Sequence, residues 1–296
     1  MIAICAALSA QTSLTDQVRV LASRGDFAGA DQLATTYRAR LGMDAEYALA
    51  VSWEGRNALA LKQYDRAETY ADRARDVSLE LLKKRSLDAD SKLPLALGAS
   101  IEVHAQVMAA RGEVSSAVGF LQGERRKYAG TSIVERISKN INLLSLEGKP
   151  APSLDAAEWI GTKPPGLASY RGKPVLVFFW AHWCSDCKAQ MPILAKLQTR
   201  YANRVQLLAP TRYYGYVEGG VDAGKAAEKT YIQQVRDRYY PTMASTPIPL
   251  SNTIFETYGC SSTPTLALID KQGIVRWYHP GNATEAELVQ KIEALL

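Results

Sequence analysis

Residues 14–147 read as helix throughout. The segment is rich in Ala, Leu, Arg, Glu and Gln, and Pro94 is its only proline. Apolar helical stretches at 18–22, 58–61 and 101–110 each run into a polar turn, then an apolar or aromatic residue, then Ala three positions later. The three instances are Gly25-Asp26-Phe27-Ala28-Gly29-Ala30, Lys62-Gln63-Tyr64-Asp65-Arg66-Ala67 and Arg111-Gly112-Glu113-Val114-Ser115-Ser116-Ala117. Ala67, Ala71 and Ala74 continue at helical spacing, and such small side chains let two helices approach closely. Proline and glycine density then jumps over 148–174, which predicts a linker with irregular or short-strand structure. Beyond it, strand and helix signals alternate. The uninterrupted apolar run 175–181 predicts a strand buried on both faces, followed by a helix over 184–201. A second buried strand is predicted at 205–209, a polar helix at 223–240, a third strand at 265–270 and its hairpin partner at 274–279. Thr284 with Glu287 forms a capping box leading into Leu288, Ile292 and Leu295. The predicted architecture is an all-α N-terminal domain over 13–147 and an α/β domain with a mixed central sheet over 148–296.

The helical half resembles tetratricopeptide repeats, whose unit is a helix–turn–helix of about 34 residues. Phe27 and Tyr64 are 37 positions apart, close to that period; Tyr64 and Val114 are 50 apart, which requires long helices or an insertion around 86–94. A generic helical bundle is the plainer reading. Either would serve to hold or position a protein partner.

Composition narrows the function classes. Hydrophobic residues make up 47% and charged residues 22%, as in an ordinary folded domain. The net charge of +5 is spread over both signs, which argues for a solvated surface and against a nucleic-acid footprint. No uninterrupted run of 18 apolar residues occurs, so no transmembrane helix is expected. Residues 1–12 begin MIAICAALSA and turn polar at Gln11, which predicts the remnant of a secretory signal and an extracytoplasmic, periplasmic setting. Ile2-Ala3-Ile4 ahead of Cys5 makes a poor lipid-anchor motif. Once Cys5 leaves with the signal, Cys184, Cys187 and Cys260 remain, an odd number that excludes a framework of structural disulfides.

Cys184-Ser185-Asp186-Cys187 follows a predicted buried strand and opens a helix. Unpaired backbone N–H groups and the positive dipole end at a helix N-terminus stabilise a thiolate there, so Cys184 is the expected nucleophile. Cys187 lies one turn on, placed to attack the mixed disulfide and release the substrate. Zinc knuckles share the CxxC spacing, but Cys260, His104, His182 and His279 form no second short pair, so no metal is expected. The predicted chemistry is dithiol–disulfide exchange, with no dissociable cofactor.

The segment 175–187 (VLVFFWAHWCSDC), Pro192 and the loop Ser262-Thr263-Pro264-Thr265-Leu266 together resemble the thioredoxin superfamily. Gly148-Lys149-Pro150-Ala151-Pro152, Tyr170-Arg171-Gly172-Lys173-Pro174 and Leu268-Ile269-Asp270-Lys271-Gln272-Gly273 resemble its extracytoplasmic TlpA/ResA-like branch. The resemblance covers 148–296. It implies Cys184 as nucleophile, Cys187 as resolving cysteine, Pro264 as a cis-proline facing the disulfide, Thr263 as a source of backbone hydrogen bonds to substrate, and Trp183 as an aromatic platform. It further implies protein disulfides or dithiols as substrates and a membrane protein as electron donor.

Two departures matter. Gln190 stands where that branch has a glutamate, and Phe178 where thioredoxins have an aspartate, so both family acids are missing. Asp186, between the cysteines, should disfavour a neighbouring thiolate and make the couple a reductase-leaning one. His182 reads as an exposed loop residue. Cys260 reads as a small buried side chain, with a third redox thiol as the sharper alternative. The aromatic stretch 211–220 (TRYYGYVEGG) borders the substrate groove or packs as an ordinary loop. Rival functions are a repeat-based binding adaptor carrying a thioredoxin-fold module and a thiol peroxidase; against the latter, Ala181 occupies the position where peroxiredoxins carry a threonine.

Overall fold

The computed structural model describes residues 13–296, and the predicted signal remnant over 1–12, with Cys5, lies outside the described residues. The chain divides into two compact units, one running through Ile133 and one beginning at Val134. The first contains α1 (Leu14–Ser23), α2 (Phe27–Leu41), α3 (Ala45–Ala60), α4 (Tyr64–Leu82), α5 (Leu93–Ala110) and α6 (Val114–Lys127). The polar turns predicted before Phe27, Tyr64 and Val114 fall between helices, which makes three helix–turn–helix pairs. Within the unit α1 packs on α2 and α3, α3 on α4 and α5, and α5 on α4 and α6.

Small side chains make the closest of these approaches possible. A Cβ at Gly55 on α3 would meet the Ala67 carbonyl and Ala71 amide of α4 at 3.4 Å, already tight. Ala67, Ala71 and Ala74 are all buried. The 50-residue interval is taken up by the 19 residues of α4, the 18 of α5 and the connection between them, which holds a 3₁₀ turn at Leu87–Ala89. Pro94 sits in the first turn of α5, where its missing N–H costs nothing. α5 is long and apolar enough to cross a membrane by length and composition. In this unit it is the central helix, with Leu93, Leu97, Ile101 and Val107 buried among its neighbours.

The second unit opens with α7 (Val134–Ser145), which packs against elements of the sheet domain and so belongs with it, upstream of the compositional break at 148. There follow β1 (Glu158–Ile160), β2 (Val175–Phe179), α8 (Ser185–Arg200), β3 (Gln206–Leu208), α9 (Lys225–Tyr239), β4 (Ile248–Leu250), α10 (Asn252–Tyr258), β5 (Thr265–Ile269), β6 (Val275–Pro280) and α11 (Glu285–Glu293). The main sheet has the order β3-β2-β5-β6, parallel between β2 and β3 and antiparallel elsewhere, so it is mixed as predicted. β1 and β4 form a separate antiparallel pair.

Alternation along the central strands assigns the two faces. Leu176, Phe178, Leu266 and Leu268 point into one apolar cluster with Cys184, Cys187 and the buried face of α8. Val175, Val177, Phe179, Ala267 and Ile269 point into the other, with α10, Tyr278 and Cys260. The β5–β6 turn is held by Asp270, which accepts from the Gln272 and Ile274 amides and from Arg276. Thr284 caps α11 by accepting from the Glu287 amide.

Candidate active site

β2 delivers the site to the end of the sheet. Trp180, just past the strand, is buried; its indole donates to the Ala209 carbonyl at 3.0 Å, and its own carbonyl accepts from the Thr211 hydroxyl at 2.7 Å. These bonds tie the end of β2 to the segment after β3. The chain then turns, with the Cys184 amide donating to the Ala181 carbonyl, so His182 and Trp183 are the two central residues of the turn. Cys184 is the N-cap of α8 and its sulfur accepts from the Cys187 amide at 3.0 Å. Helix phasing brings Cys187 one turn along, and the two sulfurs are joined in a disulfide with Cα atoms 5.3 Å apart. Cys184 is 2% exposed and Cys187 is fully enclosed. Pro192 lies inside α8.

The loop before β5 closes the site. The Thr263–Pro264 peptide is cis. The Thr263 carbonyl oxygen lies 3.4 Å from Cys184 Sγ, so the two segments singled out in the sequence, 79 residues apart, meet at one sulfur. The Pro264 carbonyl is held from behind by the Gly281 amide. Trp183 is 48% exposed, with its ring edge-on to Tyr214 at 5.5 Å between centroids. Cys260 is not brought to the pair: it lies in the cluster on the opposite face of the sheet, and burial, with Glu135 next, pushes its thiol well above the ordinary range.

His182 is not the exposed loop residue expected. It is 1% exposed, with Nε2 3.3 Å from Glu228 Oε1, itself on a side chain 1% exposed. Glu228, from α9, also accepts from the backbone amides of Tyr214 and Gly215. Three tyrosines present themselves to the imidazole ring at 75–82°: Tyr214, Tyr216 and Tyr231, with centroids 5.3–5.5 Å away. The turn points His182 inward because a carboxylate waits there to pair with it. Burial lowers the imidazole's proton affinity and Lys188 adds to that, while Glu228 opposes both. Glu228 lies 46 residues downstream in a helix predicted only as polar, and no local spacing marks it out.

Gln190 takes the position of the family glutamate and is buried. Its Nε2 donates to the Ala283 carbonyl at 3.1 Å and its Oε1 accepts from the Ala283 amide at 2.8 Å. The aromatic stretch after β3 both packs and borders the site. Arg212 forms a two-pronged ion pair with Glu135 of α7 and stacks over Phe255 and Tyr214, Tyr213 donates to Glu158 at 2.8 Å, and Tyr214 and Tyr216 wall His182. Among the described residues, no three His, Cys, Asp or Glu side chains converge as a metal-ligand set.

Comparison with known proteins finds relatives that match about half of this chain. Over 166 residues the chain is 29% identical to the thioredoxin-like protein YneN of Bacillus subtilis, an alignment covering 56% of this chain and 89% of that one. It is 28% identical over 149 residues to the thiol-disulfide oxidoreductase ResA of Geobacillus thermodenitrificans, covering 50% and 77%. Among solved structures, a thiol-disulfide isomerase from Corynebacterium glutamicum superposes with a TM-score of 0.40 at 20% identity, over 49% of this chain and 96% of that one. The Redoxin family model matches residues 146–296. That match takes in the whole sheet, the cysteine pair and the cis-proline loop, and the chain therefore belongs to the Redoxin family.

Proposed function

We propose that the protein is a thiol–disulfide oxidoreductase acting on protein disulfides, with Cys184 as nucleophile and Cys187 as resolving cysteine. The observation that carries this reading is the Cys184–Cys187 disulfide at the head of α8, with the Thr263 carbonyl against Cys184 Sγ. In the reduced protein, the Cys184 thiolate attacks a substrate disulfide, forms a mixed disulfide and expels one substrate thiolate. Cys187 then attacks Cys184 Sγ, expels the second substrate thiolate and leaves the bond seen here. Donation from the Cys187 amide and the α8 dipole favour the thiolate on Cys184. Asp186 in the first turn of α8 works against that field, which supports a reductase-leaning couple. Pro264 and Thr263 would orient a substrate strand and Trp183 would form one edge of its seat.

The relatives' names speak for exchange chemistry over the adaptor and peroxidase readings. An extracytoplasmic setting, with a membrane protein as electron donor, is what the resemblance to the TlpA/ResA-like branch implies. The paired helices of the first unit would serve, in the manner of tetratricopeptide repeats, to hold a protein partner. The test is a trap. Cys187→Ser should accumulate mixed disulfides on Cys184 that dithiothreitol releases, and the wild type should reduce insulin while Cys184→Ser does so at least about a hundredfold more slowly, as loss of a nucleophile requires. Absence of adducts together with undiminished insulin reduction by Cys184→Ser would sink the assignment.

A further inference from the structure

Opening the Cys184–Cys187 bond creates negative charge in a largely enclosed site, and neither acid that related proteins place there is present. Gln190 is locked in a neutral, two-way bond with Ala283, and Phe178 is part of the apolar core. His182 and Glu228 form a buried acid–base pair, and its histidine sits on the same tight turn as Cys184. We propose that His182, held by Glu228, is the positioning residue that takes up a proton when the disulfide is reduced to the Cys184 thiolate and gives it back when the disulfide re-forms. The inference rests on the exchange reaction proposed above.

The step balances. A donor dithiol loses two electrons and two protons and becomes a disulfide. The Cys184–Cys187 bond breaks; one proton goes to Cys187 as a thiol and the other to His182, leaving Cys184 as thiolate. Net charge is unchanged, since one anion and one cation appear together. The geometry fits that role. Nε2 faces Glu228 Oε1, so the neutral ring donates there and keeps its lone pair on Nδ1, the atom that receives the proton. Glu228 is fixed by two backbone amides and cannot swing away when the ring changes charge. The groups facing the ring are Glu228 and Tyr231 from α9, Tyr214 and Tyr216 from the loop after β3, and Lys188 from α8, whose ammonium is drawn over Tyr239 at 4.4 Å. Burial and Lys188 favour the neutral imidazole over the pull of Glu228. A new anion two residues away tips it.

Ring NMR on the full chain tests this directly, because the sequence holds only three histidines, His104, His182 and His279. His104→Gln and His279→Gln assign the remaining signal. Titrated in the oxidised and the dithiothreitol-reduced protein, His182 should bind its proton about tenfold more tightly in the reduced state, the effect of one nearby charge. His104 and His279 should titrate alike in both. Glu228→Gln should abolish most of the difference; a variant that keeps all of it removes Glu228 from the mechanism and overturns the pair. Identical His182 titrations in the two states of the wild type overturn the proposal outright. A histidine with a purely structural role would change the melting temperature on substitution but show no redox-linked titration. Failure of the reduced protein to exchange with insulin or glutathione defeats the reaction itself, whereas exchange with an unshifted His182 defeats only this inference.

Discussion

Gln190 and Ala283 bind each other through both of their polar ends, and this makes the missing family acid a matter of local fit. Gln190→Glu replaces the donor with an oxygen that faces the Ala283 carbonyl. The variant should approach wild-type stability in acid, where a protonated carboxyl still donates. It should lose about 1–3 kcal/mol as pH rises, because the enclosed carboxyl holds its proton more tightly folded than unfolded. Urea midpoints at pH 4.5 and pH 8 would check this; equal losses at both would show that the carboxyl is solvated. The cysteines, Gln190 and the cis-proline were readable in the sequence because each lies within a few residues of a recognisable neighbour. The inward turn of His182 was not readable, since its cause is a carboxylate on another element.

At the scale of elements, α10 and β4 were passed over. Three residues of strand containing Pro249 and seven of helix are too short for either period to register. What fixes α10 is its end. Gly259 is left-handed (φ +64°), and a Cβ there would lie 2.2 Å from the Lys139 amide nitrogen of α7. Gly259→Ala must therefore push two helices apart as well as strain the backbone. It should cost about 2–4 kcal/mol. Gly148→Ala, also left-handed (φ +82°) but with nothing within 4 Å, should cost only about 1 kcal/mol. Chemical denaturation of both variants would show the gap, and equal costs would mean that α7 and α10 part freely. The longer elements of the sheet domain were legible to within a residue or two because burial on both faces leaves strands no polar positions.

For the molecule as a whole, composition breaks at 148 but packing divides at 133/134. α7 carries a helical composition like that of the first unit, and only its partners reveal where it belongs: Glu135 pairs with Arg212 and Asn142 donates to the Thr257 carbonyl, while Glu147, just past the helix, accepts from the Tyr278 amide. A fragment 134–296 should unfold in one cooperative transition. A fragment 148–296 should be weaker by at least about 2 kcal/mol from the stranded Arg212 alone, before the loss of Leu146 from the core is counted. Calorimetry of the two fragments decides, and equal stability would return α7 to the helical half. The central sheet also separates the sulfurs, with the reactive pair under one surface and Cys260 under the other. A third thiol in the same domain can join the wrong partner only while that partition is missing. If the sheet closes before an oxidant reaches the thiols, the partition itself restricts pairing to Cys184 and Cys187.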